Sequence, residues 1–181
     1  MMQHNALWAT LLVSVSLSSL ASVASADSKP AAAKKAPTDE RLAQLVGRWE
    51  GKSEFKLQGK ASTWNVTSSC ERAAISPAIV CSAVAVSGDM RLEEMWMFGY
   101  DDHSATYHLF MTNDWGEAYD HAAKWTDTAS VAFIHMGTRD GKKLVENYTL
   151  SFKPDQMIWK GSLKVGDKLV GDGTTTLQRV K

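Results

Sequence analysis

From Arg48 to Lys56 every even position carries a charge: Arg48, Glu50, Lys52, Glu54 and Lys56. The odd positions are Trp49, Gly51, Ser53 and Phe55, and Leu57 follows. Alternation of period two marks a strand with one wet face and one buried face. Similar runs recur along the rest of the chain, with turn residues between them. The expected strands are 47–57, 60–71, 79–86, 90–100, 105–112, 117–125, 130–138, 143–153, 157–165 and 168–180. Gln58-Gly59, Ser87-Gly88-Asp89, Asp140-Gly141 and Gly166-Asp167 are among the separators. Short links of this kind specify an all-β fold, a ten-stranded antiparallel up-and-down (meander) barrel. Ahead of the first strand, Thr38 can cap a short helix over Asp39 to Val46, with Gly47 as its stop. Leu42, Leu45 and Val46 give that helix an apolar stripe, suited to closing one end of the barrel.

Turns fix register, so they show which residues meet. With Gln58-Gly59 as a two-residue turn, Ser53 faces Trp64 and Gly51 faces Val66. With Asp140-Gly141 as the turn, Gly137 faces Leu144, His135 faces Glu146, Phe133 faces Tyr148 and Val131 faces Leu150. Lys143, Val145, Asn147 and Thr149 then form the wet face of that hairpin. Alternation turns Met157, Trp159, Gly161 and Leu163 inward on the next strand. On the last strand it places Arg179 beside Trp49, where a guanidinium can stack on the indole, although a terminal Arg can equally be solvated. The run from Met90 to Tyr100 is apolar on both faces near its end, and alternation alone leaves its register open.

The first 26 residues contain no Asp, Glu, Lys or Arg, and an apolar, Ser-rich run leads to Ala24-Ser25-Ala26. This is the pattern of a secretory signal peptide, residues 1–26. The run falls short of the roughly 20 apolar residues a membrane span needs. A Pro/Ala/Lys tether, 27–37, separates it from the barrel domain, 38–181. The expected location is therefore secreted or periplasmic, after cleavage near Ala26, with no transmembrane span in the mature chain. Cys70 and Cys81 suit a disulfide between adjacent strands of one hairpin, with two buried thiols as the alternative. The 181 residues carry 20 basic and 20 acidic side chains, interspersed. Such a balance offers no basic patch and excludes nucleic acid as a partner.

Three pieces of the chain resemble the calycins, the lipocalins and fatty-acid-binding proteins, and more closely a bacterial calycin-like family of unknown function. They are Leu45 to Gly51 (LVGRWEG), Phe98-Gly99-Tyr100-Asp101, and Thr175-Thr176-Leu177-Gln178-Arg179. The resemblance implies a barrel with an internal cavity and carries over no catalytic residues. The two cysteines depart from the family pattern.

Inward aromatics with a few convergent polar groups are the usual make-up of a ligand pocket. The expected lining is Phe55, Trp64, Tyr107, Tyr119, His121, Phe133, His135, Glu146, Tyr148 and Trp159. The expected partner is a small hydrophobic or amphipathic molecule, held without turnover. His135 beside Glu146 is also the arrangement of an acid–base pair, since a carboxylate orients an imidazole and raises its basicity. An isomerase, lyase or hydrolase would use it so, and they are the catalytic candidates. No cofactor is called for, with haem held through His135 or His121 as the alternative. Met90, Met95, Met97 and Met111 lack a metal-binding spacing and read as gap-fillers around a cavity. Trp115, in the Asn113–Glu117 turn, is either an exposed contact residue or a cover for the barrel mouth.

Overall fold

A computed structural model of the chain describes residues 40–74 and 76–181. The expected signal peptide, tether and Thr38 cap lie outside them. Ten strands follow one short helix (Glu40–Leu45) in chain order: β1 (Gly47–Leu57), β2 (Lys60–Arg72), β3 (Ile79–Ser87), β4 (Met90–Asp101), β5 (Thr106–Asn113), β6 (Ala118–Trp125), β7 (Ser130–Arg139), β8 (Lys142–Lys153), β9 (Gln156–Val165) and β10 (Lys168–Arg179). Each pairs antiparallel with its sequence neighbours, and β10 returns to β1 to close the barrel. Closure removes the free edges that β1 and β10 would otherwise present. The helix is a single 3-10 segment of six residues.

Two-residue turns set the registers. Asp140 and Gly141 both have positive φ, 52° and 71°. Positive φ at both central residues matches the right-handed twist of a hairpin. Gly137↔Leu144, His135↔Glu146, Phe133↔Tyr148 and Val131↔Leu150 pair across it as the turn requires. On β1 and β2, Ser53↔Trp64 and Gly51↔Val66 do likewise.

The register of β4 is set from β3, where Cys81 pairs with Trp96 and Ile79 with Phe98. Trp96 and Phe98 therefore point inward, and Met95 and Met97 face solvent with about half of their surface exposed, 52% and 48%. Met90 is exposed too. These three methionines fill no cavity, which corrects the expectation for them; Met111 alone of the four packs against the core. Parity is the physical reason for Met95 and Met97, since residues next to an inward Trp96 must face out; Met90 has the inward parity but opens β4 at the rim, paired with Ser87 beside the Gly88-Asp89 turn.

The helix end of the barrel is packed. Leu42, Leu45, Trp49, Ile79, Leu109, Val131, Leu150, Met157 and Leu177 are all essentially inaccessible. Arg179 holds this end together. Its guanidinium lies 4.2 Å from the Trp49 ring centroid. It donates to Val46 O, and to Gln44 O at 3.0 Å. The Trp49 indole donates to Leu45 O at 2.8 Å. First strand, last strand and helix thus meet at two side chains. Cys70 and Cys81, a directly paired couple on β2 and β3, form a disulfide.

Two outcomes test this arrangement. Arg179→Ala removes charge-assisted hydrogen bonds and a cation–π contact, so it should lower the unfolding free energy by about 2–4 kcal/mol. Arg179→Lys, lacking the planar fork, should recover less than half of that; a urea midpoint unchanged by either variant would show that the plug carries no stability. Cys70→Ser with Cys81→Ser opens a cross-link with a sequence separation of 11. Chain entropy values such a link at about 3 kcal/mol, and urea titration of the double variant should show a loss of that size.

Candidate functional site

At the end of the barrel away from the helix, the interior changes character. β6 supplies Tyr119 and His121, β7 supplies His135, and β8 supplies Glu146 and Tyr148. His121 has no solvent exposure (0%) and Glu146 has 5%. His121 Nε2 donates to Glu146 Oε2 at 3.1 Å. The cross-strand partner of Glu146 is His135, yet its carboxylate reaches past that residue to β6. His135 instead donates from Nδ1 to the backbone carbonyl of Asp120 at 2.8 Å.

This second contact marks a change in the wall. The β6–β7 ladder runs from Trp125↔Val131 to Ala122↔Ile134. Beyond it the His135 imidazole takes the carbonyl of Asp120 in place of a backbone donor.

These hydrogen bonds fix both tautomers. A carbonyl only accepts, so His135 carries its proton on Nδ1 and leaves Nε2 as an acceptor. The carboxylate likewise holds the His121 proton on Nε2 and leaves Nδ1 as an acceptor. His121 Nδ1 is fully buried and makes no hydrogen bond within the protein. A Cβ at position 137 would lie 3.0 Å from His135 Nε2, so Gly137 gives that nitrogen its clearance.

Aromatic rings enclose the pair. The His121 and His135 centroids are 5.4 Å apart, Tyr148 is 5.4 Å from His121, and Tyr119 is 5.1 Å from His135. Tyr148 lies against Gly161, where a Cβ would come within 2.5 Å of the ring. Arg139 donates to the Tyr119 hydroxyl at 3.0 Å and to Glu117 Oε1 at 3.3 Å.

Glu94 completes the cluster. Burial pushes its carboxyl up; the Trp96 indole N–H works against this, and Glu117 and Asp114 add to it. The Tyr148 hydroxyl is also driven up, first by burial and then by Glu146, Glu94, Tyr119 and Glu117. Tyr148 is thus the common neighbour of three carboxylates. Tyr119 rises for the same reasons, burial first and then Glu117. Among the described residues no three His, Cys, Asp or Glu side chains converge as a metal-ion site.

The other expected lining residues lie elsewhere. Phe133 is buried between Phe98, at 5.3 Å, and Trp159, at 5.5 Å, and Trp159 meets Trp96 at 5.0 Å. These rings form the floor beneath the polar cluster. Phe55 lies against Gly171 and Gly173. Trp64 donates to Ser62 Oγ at 3.0 Å and meets Trp115 edge-on at 6.4 Å. Trp115 remains 59% exposed, so it flanks Trp64 at the rim without being buried there. Tyr107 sits at the helix end, where it accepts from Arg41 at 3.2 Å.

Two concavities lie outside this cluster. One of about 420 Å³ adjoins Trp49, Phe152 and Arg179. The other, of about 620 Å³, runs from Arg41 and Trp125 along the wall to Ile134 and Asn147.

Sequence reasoning missed Glu94, Glu117, Arg139 and the His121–Glu146 bond. A two-residue Gly88-Asp89 turn pairs Ser87 with Met90. That reading would have turned Glu94 inward along with Trp96. The His121–Glu146 bond joins strands that are not neighbours, which no hairpin register reveals.

No family model matches the chain, and no curated protein matches it. Among solved structures it is similar to Rv2717c from Mycobacterium tuberculosis, with 13% identity, a TM-score of 0.57, and coverage of 82% of this chain and 100% of that one. At that identity the likeness shows the fold alone. A Bacteroides fragilis chain assigned to the outer membrane reaches a TM-score of only 0.22, at 5% identity over 77% of this chain and 99% of that one, and supports no argument.

Glu94 gives a pH test. Its folded pKa is raised, so the folded protein holds this proton more tightly than the unfolded chain does. The carboxyl therefore costs no stability below the ordinary carboxylate range, and a growing amount as pH rises from there through the folded pKa. Glu94→Gln should raise the melting temperature at neutral pH, with a gain that vanishes in acid. A gain independent of pH would show that Glu94 is not desolvated.

Proposed function

We propose that this protein is an exported calycin-like barrel that binds a small apolar or amphipathic molecule, without turnover, at the end opposite its helix. The observation that carries this is His121 Nδ1, a fully buried acceptor with no partner in the protein. A buried polar group left unpaired costs about 1–3 kcal/mol. A ligand that donates to it removes that cost. Support for a one-ended site comes from the packed plug around Trp49 and Arg179, which closes the other end. The disulfide supports export, because such bonds persist in oxidising compartments.

Native mass spectrometry of the mature protein, purified without detergent, tests the reading. A bound mass of small-molecule size, lost on denaturation, is expected. A bare protein mass that persists after incubation with extracts of the source cell envelope would overturn it.

Haem is a second reading, favoured by His135. A ligating imidazole usually donates its other nitrogen to a carbonyl or carboxylate, and His135 Nδ1 does so with Asp120 O. Titration with haemin decides it. A shifted Soret band abolished by His135→Ala supports haem, and no shift excludes it.

A further inference from the structure

Resting on the barrel-ligand reading, we infer that the open-end site selects an organic cation, a primary ammonium carried on an apolar body, over fatty-acid-like anions or neutral molecules. Apart from the indole N–H groups of Trp96 and Trp159, which are buried without partners, the groups left unengaged there are acceptors. His121 Nδ1 offers a buried lone pair. His135 Nε2 offers another, because its Nδ1 proton is spent on Asp120 O. Glu94 has no ion-pair partner among the described residues.

The charge balance points the same way. Glu94, Glu117 and Glu146 all act on the Tyr148 hydroxyl. Arg139 is the one guanidinium held at this cluster, and its contacts go to Glu117 and Tyr119. Glu146 is engaged by His121, whose other nitrogen stays an acceptor. The net result is an acidic cluster with two imidazole lone pairs unengaged, whose one guanidinium among the described residues, Arg139, is already engaged. A fatty-acid carboxylate would meet like charge from three carboxylates, against which the donors on offer are neutral: the tyrosine hydroxyls and the indole N–H groups of Trp96 and Trp159.

An ammonium supplies what these groups lack: positive charge and three N–H donors on one atom. Tyr119 and Tyr148 flank the two imidazoles within 5.1–5.4 Å. Ring faces of this kind attract cations. A quaternary ammonium would enjoy the ring faces and the charge but could donate to neither imidazole. A primary amine should therefore be preferred over its trimethylated counterpart, which separates hydrogen bonding from charge alone.

The test uses four probes with one decyl chain: decylamine, decyltrimethylammonium, decanoate and decanol, each below its micelle concentration. Isothermal titration at neutral pH and low salt should show decylamine binding at least about tenfold tighter than each of the others. Glu94→Gln should weaken decylamine about tenfold and leave decanol unchanged. That variant is expected to be more stable than the parent, so its melting curve confirms that lost binding is not lost fold.

If decanoate or decanol binds as well as decylamine, the cation inference is wrong while the ligand-binding barrel stands. If decyltrimethylammonium matches decylamine, the imidazole lone pairs are not the recognition element, and the inference fails in that form. If none of the four binds, the site takes no amphipathic ligand of this kind, and the barrel-ligand reading falls with it.

Discussion

The guanidinium of Arg179 is the contact on which the barrel depends. A meander barrel closes only if its last strand finds its first, and that pairing has the longest sequence separation in the fold. Backbone bonds alone leave such a seam free to slip in register. Arg179 removes the freedom, because it stacks on Trp49 of β1 and donates to two carbonyls beyond the start of that strand. Its partner carbonyls, Gln44 and Val46, belong to the segment around the helix. The same side chain that sets register therefore draws the helix over one end.

Closing one end divides the interior. Below, aliphatic and aromatic side chains pack to exclusion of water, and their rings interlock from Phe98 through Phe133 and Trp159 to Trp96. Above, three carboxylates, two imidazoles and two phenols share a space only partly open to solvent. Buried polar groups are normally satisfied, so a fully buried acceptor without a donor calls for a reason. The opposed tautomers of His121 and His135 make that reason chemical. Each ring is anchored through one nitrogen and presents the other. An enzyme site and a binding site share this design, and the acidity of the surroundings argues for a ligand that brings positive charge and protons of its own.

The barrel was legible because its signals are local. Period-two alternation names the strands, and a two-residue turn such as Asp140-Gly141 dictates every pair above it. The site was legible only in part, for a geometric reason. Register reports neighbours on adjacent strands, and so it placed His135 opposite Glu146. The bond that forms is between Glu146 and His121, two strands apart, because curvature brings non-adjacent inward side chains together. Glu94 was hidden by a different ambiguity. Its strand is apolar on both faces near the end, and the Gly88-Asp89 turn, which pairs Ser87 with Met90 and Cys81 with Trp96, settles which face is inside. Tyr107 illustrates the reverse error. It faces inward as alternation requires, but parity says nothing about which end of the barrel a residue occupies, and it lies with Arg41 at the helix end.

Each of the two imidazoles keeps one nitrogen unprotonated, His121 at Nδ1 and His135 at Nε2. Long-range proton–nitrogen correlation of the histidine rings, recorded at neutral pH on the ligand-free protein, measures this directly. His121 should show its proton on Nε2 and a bare Nδ1, and His135 the opposite. Reversed tautomers, or rings in fast exchange between both forms as in a free imidazole, would contradict the account.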